Sequence, residues 1–569
     1  MRLRAGFLAG LCALAVVFLA LHPPFTQGAG RFRARHSGRH LVTSGVQAQG
    51  DPAEAADPAE VSVGERLFLE TRFAQFFAAH AAGVNQPLAL GDPVLDVTHT
   101  TGAPLPGAFA SKSMNCRSCH FVDDVAGFPG GRVNTYGDFA RRSFVPLRED
   151  GRTVTPRNSP PLVNAFLSRP NGLLLHFDGE FASTADLIKA TFAGRNFGWL
   201  ASERDQAVRH LAQVVREDDG RDDIGQQFAS VPYGVLLRGT DAAIPPELVL
   251  PLPFRVDVSS ATDGQIFDAV ARLVAAYCES LVFTQDEDGF FAGSPYDAFL
   301  AKNDLPRGPE EGESAADYSR RLRAAVQGLG APLYVQPSEG ALALHDQPWQ
   351  FGRKELDGLT LFLTGADPGR RPAPNCVTCH PAPNFTDFKL HNTGITQEEY
   401  DGLHGAGASA ALPVPSLSER LLDPEAYLPA SVTHPRGTGR FATGASRERP
   451  GETDLGVWNV YANPDRPAPQ GALTQTLGVA GRPPEEVLPL TIGLFKTPGL
   501  RDLGQSAPYF HTGSKDTLED AVRFYVAFSE KARLGRVRNA DSEIQRVFLT
   551  EAEIASLTAF LRSLNEDYQ

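Results

Sequence analysis

Apolar residues recur at helical spacing in six stretches of this 569-residue chain, and the intervals between them carry no sustained period. The first stretch, 61–68 with Leu67, Phe68 and then Phe73 and Phe76-Phe77, predicts an amphipathic helix where ordered structure begins. Further helices are predicted over 185–192, 203–215, 266–281 and 355–363. The last covers 551–564, where Ile554, Leu557, Phe560, Leu561 and Leu564 repeat three or four residues apart. Alternating strands are scarce, so the fold class is mostly α with much loop. Residues 83–112 read as loop, and 302–314, charged and rich in Gly and Pro, as a linker or surface loop. Residues 400–490 are rich in Pro, Gly and Ala and weakly periodic, and read as an extended insertion that decorates the surface, with a cover over a substrate site as the alternative.

The N-terminus carries a different pattern. Arg2 and Arg4 precede an unbroken apolar run over 5–21, which Pro23-Pro24 ends. Its 17 residues fall short of the ~20 that span a bilayer comfortably. Residues 1–30 therefore read as a cleaved export signal, with an uncleaved N-terminal anchor as the alternative. Leu11 before Cys12 argues against a lipoprotein site. Residues 31–60 read as a flexible lead-in. Losing the two arginines with 1–30 deepens the formal net charge of −14 by two. Such acidity argues against nucleic acid as partner and favours a basic electron donor through steering.

Cysteine usage brings in the chemistry. Four of the six cysteines lie in Cys116-Arg117-Ser118-Cys119-His120 and Cys376-Val377-Thr378-Cys379-His380. Each has the Cys-x-x-Cys-His form of a c-type haem attachment site. Two thiols add to the vinyl groups of one haem, and the next histidine binds its iron from one side. Random placement of the same cysteines and histidines would give about 0.002 copies of the pattern. A structural zinc site wants two such pairs close together, and these are 260 residues apart. A dithiol redox pair has no use for the trailing histidine. Cys12 leaves with the signal, and Cys278, inside the apolar 266–281 pattern, reads as a buried small hydrophobe. Covalent haem and export agree, because bacteria attach c-type haem outside the cytoplasm, and the expected location is the periplasm.

Other segments in order along the chain narrow the reading. They are Gly64-Glu65-Arg66-Leu67-Phe68, Arg157-Asn158-Ser159-Pro160, Phe177-Asp178-Gly179, Asn384-Phe385-Thr386-Asp387 and His391-Asn392-Thr393-Gly394. Most specific are Phe495-Lys496-Thr497-Pro498-Gly499-Leu500-Arg501-Asp502 and Ala507-Pro508-Tyr509-Phe510-His511-Thr512-Gly513. With these blocks the chain resembles the bacterial di-haem cytochrome c peroxidases and their MauG-type relatives. The resemblance implies two cytochrome-c-like haem domains with long loops and insertions. These would be 61–265 with a peroxidatic haem and 355–569 with an electron-transfer haem, joined by connecting helices and a linker over 266–354. It also implies a calcium ion between the haems, held by oxygens of Asn158, Ser506 and Pro508; hard oxygen ligands suit calcium. A calcium-free contact between domains is the alternative. Homodimerisation is an analogy only.

Axial ligands separate the possible chemistries. His120 and His380 are the expected proximal ligands. The only methionines are Met1 and Met114, and Met114 is poorly placed to reach the far face of its own haem. The position of the family's methionine is Tyr525, where MauG-type proteins carry tyrosine. Tyr525 is the expected sixth ligand, with His511 and His391 as competitors. Asp150 stands where several peroxidases have a distal histidine, which implies an open face on the His120 haem. Phe177 replaces the family's inter-haem tryptophan, so it is no hopping relay. Trp199 could substitute, but core packing is the stronger reading of it. The distal acid–base group has no match; Asp178, Glu180 and Asp186 are weak candidates. Three functions follow from the resemblance. One is an exported peroxidase, reducing hydrogen peroxide at the His120 haem with electrons from a mono-haem cytochrome or cupredoxin through the His380 haem. The others are a MauG-like oxidase of a protein or organic substrate, and a di-haem electron carrier without enzymatic activity.

Overall fold

The computed structural model describes residues 57–96, 99–100, 103–104, 112–120, 142–343, 345–366 and 373–567. The signal or anchor over 1–30 and most of the lead-in lie outside the described residues. Helices dominate, and the named strands are two-residue pairs: β1 (His99–Thr100) with β2 (Ala103–Pro104), and β3 (Leu390–His391) antiparallel to β4 (Phe495–Lys496). The fold is mostly α.

Four apolar clusters organise the described chain. The first is built on α1 (Ala59–Phe68), α2 (Thr184–Phe192), α3 (Arg204–Glu217) and α4 (Asp263–Ser280). α4 starts where Thr262 and Gln265 cap each other reciprocally, and it buries Ile266, Val270, Leu273, Val274, Tyr277 and Cys278 on one face. α1 crosses α4 at Gly64, where an added Cβ would lie 2.1 Å from the Leu273 carbonyl oxygen. The second cluster joins α5 (Pro295–Lys302), α6 (Ala315–Gln327), α7 (Arg353–Phe362) and α10 (Glu551–Arg562). α7 meets α10 at Gly358, where a Cβ would lie 2.0 Å from the Ser556 carbonyl oxygen. Cys116 belongs to the first cluster, whereas Cys376 and Val377 pack against the second. Each haem motif thus sits beside a core clasped by one glycine-centred helix crossing. α8 (Ile395–His404) and α9 (Leu518–Arg533) contribute Ile395, Phe524 and Phe528 to the fourth cluster.

The third cluster overturns the reading of 400–490 as surface decoration. Leu428, Phe441, Leu455, Val457, Trp458 and Leu473 are buried there together with Leu174 from the first half of the chain. Arg420 is buried among them and donates to the carbonyls of Trp458 and Tyr461. Irregular backbone carries these apolar residues, so no helical or strand period marks them. Trp199 is a core residue: fully buried, it donates Nε1 to the Phe73 carbonyl at 3.1 Å.

Candidate haem-binding site

Each Cys-x-x-Cys-His motif folds as one tight helical turn. The His120 amide donates to the Cys116 carbonyl and the His380 amide to the Cys376 carbonyl, both at 2.9 Å. An asparagine precedes each turn. Asn115 caps the first by accepting from the Ser118 amide. Asn375 takes a left-handed backbone (φ 58°), and its side-chain oxygen accepts from the Ala366 amide and the Thr378 hydroxyl. The turns gather two thiols and an imidazole, the donor set that covalent haem requires. His380 Nδ1 lies 2.8 Å from the Phe385 carbonyl. A carbonyl can only accept, so Nδ1 carries the proton and Nε2 keeps its lone pair for a metal. Burial pushes His380 below its usual range, and it pushes His120 down to about 4, the nearby charge of His176 adding to the effect. Both imidazoles are neutral near neutral pH.

A cavity of about 300 Å³ opens at Cys119 and His120. Its walls come from 155–166, from 175–180 and from 429–466, so the third cluster closes a site that the first motif begins. Arg157 ties these walls together, donating to Asp178 at 2.7 Å and to both oxygens of Asp454. Burial pushes Asp178 up despite Arg157. For Asp454 burial works the same way, but the charge and hydrogen bonds of Arg157 prevail and hold it low. Glu180 is clasped by His176 Nδ1 at 3.0 Å and by Arg466 at 2.5 Å. Burial opposes its ionisation; Arg466 and His176 keep it a carboxylate. Asp178 and Glu180 therefore line the cavity as partners of arginines. Asp186 does not line it: it caps α2 with Ser183 and pairs with Lys189.

The other expected residues gather at two places. Tyr525 lies on α9 between Phe510 and Phe524. Burial pushes its phenol up, with added effect from the nearby thiols of Cys379 and Cys376. His391 is held by Asp387 at 2.9 Å through Nε2 and by Asp541 at 2.5 Å through Nδ1, so both nitrogens are engaged. His511 stacks on Phe495 with centroids 3.7 Å apart and lies 6.2 Å from Phe177, between the segments of the two motifs. Burial drives it down to about 3. Asn158 sends its side-chain amide to the Pro508 carbonyl at 2.5 Å and the Phe510 carbonyl at 3.2 Å, while its buried Oδ1 has no partner. Ser506 ends the short turn Leu503–Gln505 in the same loop. Asp150 pairs with Arg195 at the surface.

Sequence reasoning passed over His176, Arg169, Lys496, Asp454 and Arg466. His176 and Lys496 sit in or beside segments singled out above, yet nothing local marked them. Asp454 and Arg466 lie in the aperiodic stretch, where only the folded chain reveals their partners.

No family model matches the chain. Among curated proteins it is 27% identical over 190 residues to the cytochrome-c peroxidase IdrP1 of Denitromonas iodatirespirans, covering 33% of this chain and 36% of that protein. It is 31% identical over 148 residues to the hydrazine synthase subunit gamma of Kuenenia stuttgartiensis, covering 25% and 34%. The matched stretch spans about a third of each relative's own length. Among solved structures it is similar to the diheme peroxidase BthA of Burkholderia thailandensis E264, with 16% identity, 91% and 89% coverage and a TM-score of 0.41. The fold and the two motif turns define a mostly α protein built around two haem attachment sites. The chain resembles the di-haem cytochrome c peroxidase and MauG family, and its curated relatives include proteins named cytochrome-c peroxidase.

Proposed function

We propose that the protein is an exported di-haem peroxidase. Electrons from a small donor protein enter at the His380 haem, and hydrogen peroxide is reduced at the His120 haem. The observation that carries this reading is the cavity at His120, whose walls combine the first motif with the Arg157 and Glu180 ion-pair clusters. Bound haem would supply the redox chemistry there: peroxide takes two electrons and two protons and leaves as two waters. The chain's own residues have a separate task. Arg157 and Arg466 fix charged groups of three segments around one space. Glu180 accepts from Nδ1 of His176 and so fixes the ring of a histidine that lines the cavity.

Tyr525 favours a second reading, a MauG-like oxidase. A phenolate ligand stabilises ferric and more oxidised iron, and the tyrosine lies close to the second motif's thiols. Calcium fits the third element of the resemblance. The orphaned Asn158 Oδ1 and the Pro508 carbonyl beside its amide supply hard oxygens, with Ser506 in the same loop.

Turnover with hydrogen peroxide and a reduced mono-haem cytochrome tests the reading. The holo-protein oxidises the donor, two molecules per peroxide, and His120→Gly abolishes this while the second haem stays attached. Donor oxidation that survives His120→Gly defeats the assignment of the peroxide site.

A further inference from the structure

A second, smaller cavity of about 80 Å³ lies against the first. It is lined by Pro160 and by Pro498. Pro160 also lines the larger cavity, which opens at His120. His176, Phe177 and Lys496 line both cavities and form the partition between them.

Two cations line the small cavity, and neither makes an ion pair with a carboxylate among the described residues. The Lys496 backbone amide donates to the Phe177 carbonyl at 2.6 Å, but its ammonium has no hydrogen-bond partner among the described residues. Arg169 spends Nη1 on the Leu174 carbonyl and Nη2 on the Ala165 carbonyl, and its buried Nε has no partner. The surrounding acids are committed elsewhere. Asp178 is held by Arg157 and makes no hydrogen bond to Lys496, and Asp502 is paired with His345. A side-chain oxygen of Asn384, on the same cavity wall, is also buried without a partner. The two ends of that amide exchange on a flip, so it can present a donor instead. Burial together with Arg169 pushes Lys496 down to about 7, and the charge of Asp178 only partly opposes them.

We propose that Lys496 and Arg169 form a binding site for a carboxylate at the partition, and that this carboxylate is a propionate arm of a bound haem. Lys496, Arg169 with its unpartnered Nε, and Asn384, whose amide presents a donor when flipped, line one space. Charge-assisted hydrogen bonds to an anion would satisfy all of them. The volume holds a few waters or a carboxylate arm, but no macrocycle. The larger cavity beside it opens at the Cys119 thiol and His120, so a group attached there extends one arm through the partition. This inference rests on the di-haem reading proposed above. It adds that a fixed positive charge is held at the partition beside Phe177, which supplies no redox-active ring.

Haem content and the two midpoint potentials of the full-length protein, read by pyridine haemochrome and spectroelectrochemistry, test it. The comparison takes wild type, Lys496→Met and Lys496→Arg. Losing a cation beside a haem favours its more positive ferric form. Two haems are expected in all three proteins. In Lys496→Met one midpoint moves negative enough to change the oxidised-to-reduced ratio at fixed potential by at least about threefold. Lys496→Arg restores the wild-type value, and added succinate leaves the wild-type midpoints where they were. If Lys496→Met fails to mature, Arg169→Gln serves as the second reporter, with the same direction expected. Midpoints unchanged or moved positive, with two haems present, overturn the proposal. Saturable movement of a wild-type midpoint with succinate also overturns it, because the carboxylate is then a free anion. Wild type without two haems overturns the di-haem reading itself, and the haem count separates that failure from the others.

Discussion

Tyr525 is the residue on which the two enzymatic readings divide. It sits on α9 among Phe510 and Phe524, close to the thiols of the second motif. Replacing it with Phe removes a phenolate ligand while keeping the ring. One haem midpoint should rise and the resonance Raman bands of an iron-bound phenolate should vanish; a spectrum and midpoints identical to wild type remove Tyr525 from the iron. His391 makes a different prediction. Burial would lower its pKa, but Asp387 and Asp541 raise it to about 12. A histidine raised on folding stabilises in full below its unfolded value near ~6.5 and loses that contribution as pH rises toward the folded value. The melting-temperature gap between wild type and His391→Gln should therefore narrow steadily from pH 7 to 10. A constant gap contradicts the clamp. In the first core, Arg66 and Arg72 share the buried carboxylate of Asp218, each at 3.0 Å. Asp218→Ala strands the buried guanidinium of Arg66, while Arg72 keeps Glu70, and should cost about 3–5 kcal/mol in denaturant unfolding. A cost near that of a surface pair would show that water or Glu70 compensates.

At the scale of elements, two helix crossings repeat one solution. Gly64 lets α1 close on α4, and Gly358 lets α7 close on α10, each with a partner carbonyl where a Cβ would stand. Gly64→Ala and Gly358→Ala should each destabilise by about 1–3 kcal/mol or more through overpacking. Melting temperatures equal to wild type would mean that the helices part at no cost. Gly64 was visible in the sequence as part of a matched block, and the apolar faces of α1, α4 and α10 were visible in their period. The motif turns were equally legible, because their chemistry depends on residues adjacent in the chain. Residues 400–490 were opaque for a physical reason. Their apolar side chains hang on turns and short helices, so Leu428, Phe441 and Trp458 show no spacing that predicts a shared core. α8, which runs across the proposed start of that insertion, went unseen for the same reason. The ion pairs of Arg157 with Asp454 and of Arg466 with Glu180 join residues hundreds of positions apart, and no local pattern encodes them.

For the whole molecule, the third cluster turns an apparent decoration into one wall of the His120 cavity, and the partition at Phe177 and Lys496 separates that cavity from the smaller one. The proposed peroxidase makes the two haems unequal: peroxide reacts at the His120 haem, and the His380 haem delivers electrons. The most direct test mixes half-reduced protein with hydrogen peroxide in a stopped-flow spectrometer, beside the fully ferric protein. The account predicts rapid reoxidation of the ferrous haem, with one peroxide consumed for every two electrons withdrawn once a donor replenishes them. A ferrous haem that persists in excess peroxide, with no peroxide consumed by either form, would contradict it and leave a di-haem electron carrier.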